Sequence, residues 1–121
     1  MPAVARGQSR DTVSTNHGCA STTTTQACSS NVIINGIGVH RDTDLNTTHT
    51  IPCGSSCCPH TRPIVVASSN VIANGLGVAR VGDPYSGCGQ VATGSSNVAA
   101  NSNVASLADI FDALAVQGLG V

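Results

Sequence analysis

The apolar residues of this 121-residue chain fall in short clusters, each broken by a pair of turn-forming residues. Val32-Ile33-Ile34 and Ile37-Gly38-Val39 flank Asn35-Gly36, and Val71-Ile72-Ala73 and Leu76-Gly77-Val78 flank Asn74-Gly75. Apolar runs on either side of Asn-Gly predict a β-hairpin with a type I′ turn, which needs positive φ at both central residues and matches the twist of paired strands. Both hairpins lie inside a longer repeat. SSNVIINGIGVHRDTD (29–44) and SSNVIANGLGVARVGD (68–83) share eleven of sixteen positions at an offset of 39 residues. A third copy starts at Ser95 as SSNVAANSNVA and then departs, with the weaker turn pair Asn101-Ser102. Val4-Ala5-Arg6 echoes Val78-Ala79-Arg80, and Asp11 stands roughly where Asp44 and Asp83 stand, so the N-terminus reads as the second half of a copy. The pattern predicts an all-β chain of about three pseudo-equivalent hairpin segments, circularly offset. Residues 20–28 and 47–56 read as loops. Helical spacing occurs only over residues 104–116, where Leu107, Ile110, Phe111 and Leu114 share a face. The chain thus divides into a β unit over 1–104 and a C-terminal extension over 105–121 carrying a short helix.

Composition narrows the function. Aromatics are 2% of the chain, one Tyr (Tyr85) and one Phe (Phe111) with no Trp, so a large aromatic core is excluded. Five Lys+Arg against six Asp+Glu leave a net charge of -1, which removes the basic stripe of a nucleic-acid binder, as the missing aromatics remove its stacking platform. The recurring Val and Ile clusters argue against polar disorder. MPAVARGQSR has no apolar stretch behind its charges and does not read as a secretory signal. No window approaches the roughly 20 apolar residues of a membrane span. The chain is therefore expected to fold in a reducing cytoplasm, and its six cysteines to serve as metal ligands or packing residues rather than disulfides.

The repeat also yields a candidate metal set. His17 lies six residues past Asp11, His49 five past Asp44, and Cys88 five past Asp83. Three repeats carry these positions to one end of the molecule, and His60, in Pro59-His60-Thr61-Arg62-Pro63, reaches the same end on a strand entering the middle repeat. Three His and one Cys form a closed tetrahedral donor set of the kind that holds structural zinc, although such donors also take iron. A slender β structure short of large apolar groups needs this support, since binding free energy at a structural zinc is folding free energy. His40, which replaces the small Ala79 of the next copy, reads as a surface or hydrogen-bonded histidine. Cys53, Cys57 and Cys58 read first as loop or buried thiols without a role, with a second metal site or a redox pair as alternatives; Cys19 is a competitor for the metal at His17.

The opening Met1-Pro2-Ala3-Val4-Ala5-Arg6, the His17-Gly18-Cys19 triplet, two NG-x-G-V-x-R segments, Val81-Gly82-Asp83 and Cys88-Gly89 followed by Gly94-Ser95-Ser96-Asn97-Val98 resemble PAAR-repeat proteins. The resemblance runs from Met1 to about Val104. It implies a small β cone that caps the trimeric β-helical spike of contractile phage tails and type VI secretion systems. It also implies a metal, usually zinc, near the point of the cone, held by His17, His49, His60 and Cys88. Two segments depart from the family pattern: 6–11 has two residues more than Arg80-Val81-Gly82-Asp83, and 41–44 lacks the glycine that Gly82 provides. The tail after Val104 does not match the family core and is too short for a fused toxin domain.

The expected role is a non-catalytic, metal-braced tip, one copy on a spike trimer, with transient contact with a target envelope. The phage tail baseplate, hence the virion, is preferred over type VI secretion because the chain has no effector domain. Rival readings are a small zinc enzyme with water as fourth ligand, a thiol enzyme pairing Cys57 or Cys58 with His60, and a metal-binding module with no spike partner. Reading Gly36-Ile37-Gly38 as a nucleotide loop fails because a hairpin, not a helix, surrounds it.

Overall fold

Each Asn-Gly pair turns a hairpin because both of its residues adopt left-handed backbone. In the computed structural model, which describes residues 1–101, φ is 52° and 79° at Asn35 and Gly36 and 57° and 80° at Asn74 and Gly75. The regular structure of the described residues is all β. The strands are β1 (Thr12–Ser14), β2 (Thr22–Thr24), β3 (Ile33–Ile34), β4 (Ile37–Gly38), β5 (His49–Cys53), β6 (Ser56–His60), β7 (Ile72–Ala73), β8 (Leu76–Gly77) and β9 (Gln90–Val91). They form one three-stranded sheet, β2-β1-β9, and three antiparallel hairpins, β3-β4, β5-β6 and β7-β8. None of these sheets is large enough to stand alone. The chain is held together by links between segments, and these obey a pseudo-threefold plan.

At the centre, three backbone bonds close a ring. His40 N–H donates to Ala5 O at 3.0 Å, Ala79 N–H to His40 O at 2.8 Å, and Ala5 N–H to Ala79 O at 2.9 Å. Antiparallel bridges Arg6↔Val39, Arg41↔Val78 and Val4↔Arg80 run beside them. Val39 N–H and Val78 N–H return to Val32 O and Val71 O in their own hairpins, and Val4 N–H makes the equivalent bond to Val98 O at 2.9 Å. The third unit is thus assembled from the two parts that the repeat predicts, residues 4–6 and 95–101.

The recurring Ser-Ser-Asn-Val has a structural purpose. The first serine of each copy accepts a bond from the valine N–H three residues on, at 2.8 Å for Ser29 and 2.9 Å for Ser68 and Ser95. Its hydroxyl then donates to a turn asparagine of the next unit: Ser29 to Asn74, Ser68 to Asn101 and Ser95 to Asn35. One layer further along, Arg6–Asp11, Arg41–Asp44 and Arg80–Asp83 repeat a single ion pair. In each, the aspartate also accepts the backbone N–H of its arginine, at 2.7–2.9 Å. Such satisfaction is necessary, because thirteen of the buried described residues are polar or charged against twelve apolar ones.

The apolar core is correspondingly small and divides in two. Val4, Val39, Ala73, Val78 and Ala100 pack under the hairpins. Ala5, Val13, Ile64, Ala79, Tyr85, Cys88 and Val91 fill the centre and the opposite end. Each fully buried valine or isoleucine contributes about 1.5–3 kcal/mol, too little from so few residues to hold the fold without the polar links. Ile33, Val71 and Ile72 at the hairpin end remain exposed.

The two departures from the repeat are absorbed by left-handed backbone. The longer 6–11 segment turns through Gln8 and Ser9 at φ of 53° and 60°, and still forms its ion pair. Thr43 takes φ of 69° where its counterpart Gly82 takes 93°. A β-branched residue is strained there, and Thr43 is exposed. Thr43→Gly should therefore raise the melting temperature, by about 0.5–1 kcal/mol of stability once the added chain entropy of glycine is subtracted; thermal unfolding followed by circular dichroism measures it.

Several sequence expectations change. The expected loop 20–28 contains β2 and the expected loop 47–56 contains β5 and the start of β6. Thr22, Thr23 and Thr24 carry β propensity without apolar alternation, and Pro52 is accommodated in a two-stranded hairpin whose other edge is open. Of the two readings of His40 the hydrogen-bonded one holds and the surface one does not: it is fully buried, with Nδ1 2.6 Å from Ala27 O and Nε2 2.7 Å from the Tyr85 hydroxyl. Burial lowers its pKa and raises that of Tyr85, so a neutral imidazole donates to the carbonyl and accepts from the phenol. Four of the cysteines are in disulfides, Cys19–Cys57 and Cys53–Cys58, against the expectation of free thiols. The helix expected over 104–116 and the boundary at residue 104 lie outside the described residues.

Candidate metal centre

The end opposite the two Asn-Gly hairpins is built from the stretch of chain on the C-terminal side of each repeat aspartate. After Asp11, Asp44 and Asp83 come Val13, Asn46 and Tyr85, all buried at equivalent positions. The main-chain oxygens of the three aspartates accept N–H groups of Thr25, Ile64 and Val91, each at 3.0 Å. The next turn of each segment delivers His17, His49 and Cys88.

Distinct local structures aim the four side chains. His17 sits in a tight loop closed by Thr15, whose N–H donates to Ser21 O at 3.0 Å and whose hydroxyl donates to Ala20 O at 2.6 Å. His49 and His60 face each other across the first pair of the β5–β6 ladder. Cys88 precedes Gly89, whose φ is 64° and where a Cβ would collide with Ser14 O. Only glycine lets the backbone after Cys88 pass so close to β1.

The structure brings all four expected ligands together: one donor atom from each of His17, His49, His60 and Cys88 lies within 4.8 Å of the others. His17 Nε2 and His49 Nε2 are 3.2 Å apart, and Cys88 Sγ is 3.2 Å from the latter and 3.3 Å from the former. The rings of His17 and His49 are stacked, and His60 stands edge-on to both. Donors at zinc–nitrogen and zinc–sulfur bond lengths on a tetrahedron are separated by about 3.3–3.6 Å, so these edges fit a single small ion.

Hydrogen bonding makes the same point. His17 Nδ1 is 2.9 Å from Gly18 O and His49 Nδ1 is 2.8 Å from Thr47 O. A carbonyl only accepts, so each neutral ring carries its proton on Nδ1 and presents a lone pair from Nε2. Two lone pairs 3.2 Å apart cannot bond to each other; a cation between them resolves the conflict. Backbone carbonyls on the outer nitrogens are a common support for metal-bound histidines. His60 Nε2 is buried with no hydrogen-bond partner among the described residues, a state that is costly unless something else meets it.

Electrostatics set the conditions for loading. Burial pushes the Cys88 thiol up, opposed by Asn46 Nδ2 at 3.8 Å from Sγ and by Arg62. Burial holds His60 below the usual histidine range, assisted by His49, Arg62 and His17. A neutral His60 is ready to donate its lone pair, whereas Cys88 gains from a metal that stabilises its thiolate. Asn46 is a supporting residue that sequence reasoning missed; it bonds Cys88 and accepts Arg62 N–H through Oδ1 at 2.9 Å. Its signal is a polar residue at the repeat position that is Val13 and Tyr85 elsewhere.

Two features bear on the enzyme readings. Asp11, Asp44 and Asp83 are each engaged by an arginine, and Cys57 and Cys58 are both in disulfides rather than available as nucleophiles beside His60. Among known proteins, the family model for the PAAR motif matches residues 11–86, which include His17, His49 and His60 and stop two residues short of Cys88. No curated protein matches the chain.

Proposed function

Because the chain belongs to the PAAR-motif family, we propose that it is the metal-braced tip of the central spike of a contractile injection machine. His17, His49, His60 and Cys88 hold the metal, zinc by donor type, and the metal keeps the narrow end rigid while the other end docks. The observation that carries this reading is the pair of opposed Nε2 lone pairs beside a partnerless His60 Nε2 and the Cys88 sulfur. Four protein donors complete the coordination of a tetrahedral ion, which is the arrangement of a structural site rather than a catalytic one.

The docking face is the hairpin end. Three pseudo-equivalent hairpin regions let one chain meet three identical subunits with similar contacts, and Ile33, Val71 and Ile72 present exposed apolar surface there. The partner is a trimeric β-helical spike protein, bound at one tip per trimer, and no nucleic acid is involved. We assign the machine to the phage tail baseplate, with type VI secretion as the alternative; baseplate and tail-tube genes beside this one, or secretion genes, separate the two.

Co-expression with the candidate spike, followed by native mass spectrometry, tests the docking. One copy of this chain per trimer is expected, and Ile33→Asp with Ile72→Asp should weaken the complex at least about tenfold by placing charge in a desolvated contact. Equal binding by the double variant, or three copies per trimer, overturns the assignment of this face.

A further inference from the structure

Two disulfides lie on the segments that carry three of the proposed metal ligands. Cys19 lies two residues past His17, and Cys53, Cys57 and Cys58 lie on the hairpin that carries His49 and His60. The β5–β6 register pairs His49 with His60, Ile51 with Cys58, Pro52 with Cys57 and Cys53 with Ser56. Side chains alternate along a strand, so Cys53 and Cys58 share the histidine face and their bridge crosses it diagonally. Cys57 is on the other face with Pro52. The His17 loop reaches round to that face: a Cβ on Gly18 would lie 3.2 Å from Pro52 Cγ, and Cys19 bonds Cys57 there. The bridges have Cα separations of 6.0 and 5.9 Å, ordinary for a disulfide.

The His17 loop needs such a fastening. Asn16 and Cys19 bracket the histidine with φ of 65° and 67°. Asparagine tolerates the left-handed region, but cysteine does not do so readily. Without the bridge, the Cys19 backbone is free to relax and to carry His17 away from His49. Cys19 and Cys57 are both exposed, so an oxidant or reductant in solution reaches this bridge.

We propose that Cys19, Cys53, Cys57 and Cys58 form a redox clamp whose oxidation locks the metal cage and slows release of the ion. The proposal rests on the metal reading above. The chemistry is thiol–disulfide exchange with a low-molecular-weight disulfide such as glutathione disulfide. One cysteine thiolate attacks the reagent disulfide and expels a thiolate; the second attacks the resulting mixed disulfide and expels another. Each pair of cysteine thiols gives up two protons and two electrons as its bridge forms, and the reagent disulfide takes them up to become two thiols. In a reducing compartment the clamp is open and the metal can load; after exposure to an oxidising one it closes over the ion.

The full chain, zinc-loaded, tests this after equilibration either with glutathione disulfide or with a non-chelating phosphine reductant. Zinc content is measured first, so that a chain binding no zinc at all counts against the metal reading and is recognised as such. Alkylation under denaturing conditions with peptide mapping should then find Cys19–Cys57 and Cys53–Cys58 in the oxidised sample, with Cys28 and Cys88 alkylated. Transfer of zinc to a chromogenic chelator should be at least about tenfold slower for the oxidised chain. Cys19→Gly, which suits the local φ while removing the thiol, should bind one zinc and lose most of this difference. Equal release rates for the oxidised and reduced wild type overturn the clamp. So does a bridge that includes Cys88, or a second zinc held by the four reduced thiols.

Discussion

Stripping the metal from the purified chain with a chelator should lower its melting temperature more than any single substitution remote from the site. Zinc sites in small domains contribute on the order of 10–16 kcal/mol of apparent binding free energy at neutral pH, against the roughly 5–15 kcal/mol net stability of an ordinary domain. The proposed brace makes this contribution large, because among the described residues the central core has Val13, Ile64, Tyr85 and Val91 as its sizeable buried apolar groups. His60→Ala should abolish stoichiometric zinc binding and reproduce most of the effect of the chelator. Its Nε2 makes no other bond among the described residues, so the loss reports on the ion and not on a hydrogen-bond network. Elemental analysis paired with thermal unfolding reads both. Unchanged stability after verified metal removal would refute the brace.

The second large effect is expected at Asp83. Its carboxylate accepts from Arg80 N–H at 2.8 Å, Nε at 2.9 Å and Nη2 at 2.9 Å, and the Arg80 side chain is only 3% exposed. Asp83→Ala removes the counter-charge from a buried guanidinium and should cost about 3–5 kcal/mol, the range for breaking a buried ion pair from one side. Asp11→Ala should cost less, because Arg6 is 15% exposed and solvent can take over part of the role. Replacing both partners, as Arg80→Met with Asp83→Val, should recover much of the loss by leaving no unpaired charge at this position. Urea unfolding of the three variants measures the series; equal costs at Asp83 and Asp11 would show that burial does not govern these pairs.

The parts of the fold that are legible in the sequence are those where one local rule suffices. Asn35-Gly36 and Asn74-Gly75 announce their turns through backbone geometry alone, and the repeat places Val4–Arg6 in the third unit because sequence identity survives circular offset. The convergence of His17, His49 and Cys88 is readable for the same reason, as each comes after a repeat aspartate at nearly the same distance. The β5–β6 hairpin is harder to read, since a strand reading His-Thr-Ile-Pro-Cys lacks clean alternation and carries a proline, which hides the two-residue turn Gly54-Ser55 that follows it. The disulfides escape notice for a related reason: pairing Cys19 with Cys57 depends on a loop reaching the far face of a hairpin whose sequence itself reads as a loop. The burial of His40 is hidden because its small repeat counterparts Ala5 and Ala79 give no hint that Tyr85 reaches across to fill one third of the ring.

The bonds of Val4 to Val98 and of Ala5 to Ala79 have a consequence for biosynthesis. Residues 4–6 are made well before the partners that complete their unit, Ala79 more than seventy residues later and Val98 more than ninety. Until Ala79 is made the first two Asn-Gly hairpins can turn locally, but the triangle around Ala5, His40 and Ala79 stays open, and the third unit waits longer, for residues 95–101. Contacts so distant in sequence slow folding, and they tie closure of the third unit to the synthesis of residues 95–101. Early assembly with the wrong neighbour is thereby discouraged, because the proposed docking end is incomplete until residues 95–101 have met residues 4–6.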